Sequence, residues 1–147
     1  MKVIFKKIWI ALLVGVLMSS CEKAPKYGKI EGFWQLLEFI TEADKEVHTC
    51  NRIYYAIQLQ VAEMSEKGGQ ELPTLKGMFH YDEASNVVAI QDIYFYDKDK
   101  KEYATPNEAL LNKYGLNDVD MELEVVKADG KVLILKSEYA TLTFKRF

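Results

Sequence analysis

His48-Thr49-Cys50 is the one place in this 147-residue sequence where a nucleophile and a base lie close together. On a strand, residues two apart point to the same side, so the pair has the spacing of a thiolate–imidazole dyad. Catalysis by such a dyad also needs a group that orients the base and donors that meet an oxyanion. No nearby residue supplies either, and a buried or loop cysteine with a neighbouring histidine is the expectation. Zinc requires three or four ligands. His48, Cys50 and His80 only just reach three, from distant segments, so no metal site is expected. Asp97-x-Asp99 has the opening spacing of a calcium loop, but that loop needs glycine at its sixth position. Glu102 stands there, and Lys98, Lys100 and Lys101 intervene, which reads as a solvated turn. No phosphate-cradling glycine loop and no nucleophile elbow occurs. The sequence implies no cofactor and reads as non-enzymatic.

A different chemistry is written near the start. Met1–Lys7 carries Lys2, Lys6 and Lys7, and Ile8–Met18 is an apolar run of 11 residues. A bilayer-spanning helix needs about 20, whereas a shorter apolar core behind a positive segment is a secretory leader. The run ends in Met18-Ser19-Ser20-Cys21, which resembles a bacterial lipobox. The reading is a lipoprotein signal peptide over residues 1–20 and lipid attachment at Cys21. A lipidated tether follows over residues 21–29, and a folded domain occupies 30–147. Acyl chains on Cys21 anchor the protein, because each buried CH₂ is worth about 0.8 kcal/mol. The implied location is the cell envelope, at the outer membrane. Once the three leader lysines are gone, 16 basic side chains face 22 acids, a net charge of −6. Such a domain has no electrostatic footprint for nucleic acid and no basic patch for anionic headgroups.

The elements that position any site are strands. Short apolar runs alternate with turn residues, as in an antiparallel β protein. Arg52–Glu63 alternates as one long strand, with Ile53, Tyr55, Ile57, Leu59 and Val61 on one face. Leu75–Asp82 follows, then Val87–Tyr96, apolar on both faces, and a short strand near Glu102–Ala104. Val119–Lys127, Lys131–Ser137 and Tyr139–Arg146 complete the set, with Asp129-Gly130 as a two-residue hairpin turn. One helix of about nine residues is expected. Thr105 is its N-cap, Pro106 its first helical residue, Glu108 closes a capping box, and Gly115 stops it.

Gly32-Phe33-Trp34 on the first strand and Arg146 on the last resemble the calycin group. More closely, the chain resembles the small lipocalin-like lipoproteins of Gram-negative gut anaerobes. The resemblance implies an all-β fold: a small eight-stranded antiparallel barrel with one short helix. An open antiparallel sandwich is the alternative. It implies that Trp34 and Arg146 form a barrel-closing pair, with the guanidinium across the indole. In steps of two from Trp34 and Leu36, Glu38 would face the interior, and Asp92 poses the same question. Strands carrying Tyr54, Tyr55, Phe79, Tyr81, Tyr94, Phe95 and Tyr96 are rich in aromatic residues. The expectation is a non-enzymatic binding protein that holds a small apolar or amphipathic ligand through Glu38, Tyr55, Phe79 and Tyr81. The alternative is a packed barrel that docks another envelope protein.

Overall fold

The computed structural model describes residues 27–69 and 72–147. The leader, Cys21 and the tether through residue 26 lie outside the described residues. The strands are β1 (Gly32–Thr41), β2 (Val47–Gln58), β3 (Val61–Glu66), β4 (Leu75–Asp82), β5 (Val87–Asp97), β6 (Glu102–Ala104), β7 (Met121–Ala128), β8 (Val132–Lys136) and β9 (Ala140–Arg146), with helix α1 (Glu108–Lys113) between β6 and β7. They form one sheet in the order β4-β3-β2-β1-β9-β8-β7-β5-β6, and a further pairing of β4 with β5 closes it. The result is the eight-stranded antiparallel barrel, not the open sandwich. β6 hangs outside, paired only with β5.

Alternation builds the wall. In β7, Met121, Leu123 and Val125 are buried while Glu122 and Glu124 are exposed. A strand with that pattern can place only one face against a core. The interior is filled by side chains from every wall strand, including Trp34, Leu36, Tyr55, Met64, Ile90 and Phe144.

Four local features depart from the sequence reading. First, Arg52–Glu63 is not one strand. It folds back at Leu59-Gln60, where both residues take positive φ (52° and 62°). The reversal keeps Ile53, Tyr55 and Ile57 inside, exposes Leu59 and Val61, and buries Ala62 and Met64 instead. Neither Asn nor Gly marks the turn, which is why composition does not reveal it. Second, the ladder of β1 slips between Leu36 and Glu38. A bulge inserts one residue and reverses the faces beyond it, so Phe39 is buried while Glu38 pairs with Thr143 and Thr49 on the outer side. Glu38 therefore does not face the interior. Third, β5 slips between its partners Lys76 and Met78 at Asp92, which has φ 52°. Before the slip Val88 and Ile90 point inward. After it Ile93 does, and Tyr94 and Tyr96 turn out. Asp92 is exposed, and its amide donates to Asp120 Oδ1 at 2.9 Å.

The fourth is the helix start. Asn107, not Thr105, is the N-cap: its side chain accepts from the Leu110 amide at 2.9 Å, and α1 has six residues. Pro106 precedes the cap and is buried. Asparagine caps as well as threonine does, and from this start Leu111, Tyr114 and Leu116 are buried in the core. The end is as the sequence indicates. Gly115 takes φ 79°, its amide donates to Asn112 O, and Leu116 donates to Leu111 O, a Schellman closure. Asn107→Ala is expected to lower stability by about 0.5–2 kcal/mol, with Thr105→Ala near neutral; denaturant midpoints of the two variants check this. At the β7–β8 hairpin, Gly130 alone takes positive φ, while the Asp129 carboxylate accepts from the Lys131 and Val132 amides.

Candidate functional site

Both ends of the barrel are closed. At one end the segment Tyr27–Glu31 crosses the floor before entering β1. Trp34 has no exposed surface, and its indole N–H donates to Ile30 O at 2.7 Å. Trp34 and Arg146 are register partners, and the guanidinium carbon lies 4.4 Å from the ring centroid. Arg146 also donates to the carbonyls of Gly130 and Glu31. Gly32, at φ 146°, leaves the space this requires, since a Cβ there would overlap the guanidinium. At the other end the helix acts as a stopper. Tyr114 is fully buried, donates its hydroxyl to Pro73 O at 2.8 Å, and accepts at its carbonyl from Tyr55 OH at 2.6 Å. Burial raises the pKa of both phenols, so both stay neutral donors.

The four residues expected to line a ligand cup do not converge. Glu38 is on the outer wall. Tyr55 and Phe79 are core, 1% and 2% exposed. Tyr81 is partly exposed, donates to Asn86 Oδ1 at 2.7 Å, and packs edge-on against Tyr27. Nor do the other candidates assemble. The His48 imidazole stacks on Phe39 and faces Glu46, while the Cys50 thiol donates to the His48 carbonyl and packs against the core. Burial pushes the Cys50 thiol up, away from thiolate reactivity. His80 is exposed on β4, with β3 between it and β2. Among the described residues no group of His, Cys, Asp and Glu gathers as a metal site would require.

The concavity with the richest chemistry lies on the outside. A cleft of about 950 Å³ runs along the outer face of β3, β4, β5 and β6. Register places Glu63 beside Lys76, Lys76 beside Tyr94, and Tyr96 beside Tyr103. Lys76 and Glu63 approach to 3.5 Å. Tyr103 packs edge-on against both Tyr94 and Tyr96 at 5.5 and 5.3 Å. All three rings are exposed, Tyr103 by 73%. Aromatic faces flanked by charges supply apolar area with orienting hydrogen bonds. The bulge at Asp92 makes this surface, because without it Tyr94 and Tyr96 would share the inward parity of Ile90. Sequence reasoning did not single out Tyr103. Its signal is the Asp97–Lys101 turn, from which pairing outward sets Tyr96 opposite Tyr103.

The model of the lipocalin-like domain family matches residues 16–147. No curated protein matches the chain. Among solved structures, a lipocalin-like protein from Bacteroides uniformis aligns with a TM-score of 0.62 at 16% identity, covering 82% of this chain and 100% of the other. An uncharacterized protein from Bacteroides eggerthii aligns with a TM-score of 0.57 at 17% identity, covering 80% and 98%. At such identities the likeness to these structures is one of fold, and it accounts for the closed barrel with its short helix. With a family match across the whole of the folded part, the chain belongs to the lipocalin-like domain family.

Proposed function

We propose that this protein is a lipid-anchored envelope lipoprotein whose packed barrel is a scaffold that presents its outer tyrosine face to a protein partner. The filled interior carries the reading. Trp34, Leu36, Met64, Leu75, Ile90, Leu133, Leu135 and Leu142 have no exposed surface at all. The wall of an open cup would be wetted, so side chains with no accessible surface argue against a water-sized space beside them. What remains available for recognition is outside, and exposed aromatic residues are enriched where proteins dock. The anchor is supported by the charged and apolar leader ending at Cys21, and the reading is non-enzymatic. Two measurements test it. Cys21→Ala is expected to abolish incorporation of labelled fatty acid and release the protein from membranes; label retained by the variant would refute the anchor. A photo-cross-linking phenylalanine analogue in place of Tyr103, in the native cell, is expected to give a discrete protein adduct that disappears with Tyr96→Ala. An adduct unaffected by Tyr96→Ala would refute the tyrosine face as the docking site.

A further inference from the structure

Apart from the tyrosine face and Val47 at the start of β2, the exposed apolar residues gather toward one end. Leu59 is 84% exposed at the tip of the β2–β3 turn, Val61 and its cross-strand partner Met78 are 41% and 59% exposed, and Phe147 is 72% exposed at the end of β9. β1 and β2 are neighbours with Gly32 opposite Ile57, so the Leu59 turn sits at the end closed by Trp34 and Arg146. Phe147 extends the pairing of β9 with β1, its amide donating to Phe33 O at 2.9 Å. An apolar rim therefore borders this end along β4, β3, β2, β1 and β9.

The turn that carries Leu59 is built against local preference. Two consecutive non-glycine residues take left-handed φ, which leucine in particular avoids. Asn-Gly would suit the geometry better. A strained, bulky apolar side chain held in solvent points to contact with something apolar.

The same end is where the described chain begins. Tyr27 packs against Phe79 and Tyr81, and Ile30 caps Trp34. Five residues separate Cys21 from Tyr27, six chain steps in all. Fully extended, they reach about 20 Å, so a lipid on Cys21 holds this end near the bilayer surface. Charge agrees. At this end Lys29, Lys127, Lys131, Lys145 and Arg146 offset Glu31, Asp82, Glu83 and Asp129. At the helix-closed end acids outnumber bases: Glu42, Asp44 and Glu46 flank Lys45 in the β1–β2 turn, and Asp118 and Asp120 follow the helix. The other lysines there (Lys67, Lys98, Lys100, Lys101, Lys113 and Lys136) are matched by Glu66, Asp97, Asp99, Glu102, Glu108 and Glu138. An anionic surface repels that end and not this one.

We infer that the Trp34–Arg146 end rests on the phospholipid surface, with Leu59 inserted at the headgroup boundary and the tyrosine cleft held clear for its partner. The inference rests on the anchor at Cys21 and not on the identity of the partner. To test it, the lipidated protein in a Cys50→Ala background is reconstituted into phosphatidylethanolamine–phosphatidylglycerol vesicles with brominated acyl chains. A bimane on Leu59→Cys is expected to be quenched at least about twofold more than one on Asp44→Cys at the opposite end, as shallow insertion implies. Equal quenching in protein that floats with the vesicles overturns the orientation and leaves the anchor standing. Protein that does not float overturns the anchor and this inference with it. Leu59→Asn with Gln60→Gly is expected to keep or raise the thermal midpoint, while a bimane on Val61→Cys loses most of its quenching. Undiminished quenching at Val61→Cys in that variant overturns the role of Leu59.

Discussion

Trp34→Ala is expected to lower the unfolding free energy by about 3–5 kcal/mol, the range for deleting a fully buried large aromatic. The ring has no exposed surface and its N–H satisfies the Ile30 carbonyl at 2.7 Å, so the variant loses apolar burial and leaves a buried acceptor unpaired. Arg146→Ala should cost less. The guanidinium is partly solvated, but its contact with the indole at 4.4 Å and its bonds to Gly130 and Glu31 all vanish together. Because each single variant breaks the same contact, the double variant should be less damaged than the sum of the singles, by about 0.5 kcal/mol or more. Gly32→Ala provides an independent check, since a Cβ there displaces the guanidinium and should reproduce much of the Arg146→Ala loss. Denaturant unfolding of the four variants measures all of this. Strict additivity of Trp34→Ala and Arg146→Ala would mean that the two side chains do not support one another in solution.

The Trp34–Arg146 pair was legible through the resemblance of Gly32-Phe33-Trp34 and Arg146 to the calycin group, whose up-and-down barrel makes the first and last strands neighbours. The wall strands were legible wherever alternation ran unbroken, as from Met121 to Val125. Legibility failed at insertions of single residues. The bulge after Leu36 and the bulge at Asp92 carry no compositional mark, because an extra residue is set by the partner strand's register and not by its own type. Each slip exchanges the two faces for every residue beyond it. That exchange alone moved Glu38 from the expected interior to the outer wall, and it sets Tyr94 and Tyr96 in an exposed cleft where unbroken alternation from Val88 and Ile90 would turn them inward. The Leu59-Gln60 reversal escaped for the opposite reason: its residues argue against the turn they form. Two of these places, Asp92 and Leu59-Gln60, both at positive φ, shape the two outer surfaces, which fits the general tendency of strain to gather at functional positions.

The packed interior makes its own demand on Tyr114. Its ring stoppers the end of the barrel opposite Trp34, and its two hydrogen bonds join α1 to β2 and to the loop before β4. Tyr114→Ala should cost about 3–5 kcal/mol. Tyr114→Phe should cost only about 0.5–1.5 kcal/mol, the net worth of one hydrogen bond. The larger truncation also changes what the barrel can do. Gly115 packs within 3.3 Å of Leu142 and Phe39 as judged from the position a Cβ would take, so the helix end has little freedom to collapse inward and fill the space. A void lined by such residues stays dry and accepts a small apolar molecule. Benzene should therefore raise the thermal midpoint of Tyr114→Ala by mass action and leave that of the native protein unchanged. Should Tyr114→Ala fail to fold, Tyr114→Leu asks the same question with a smaller void. A midpoint that rises equally in the native protein would show that room for a ligand already exists within the barrel, and would return the function from its outer face to its interior.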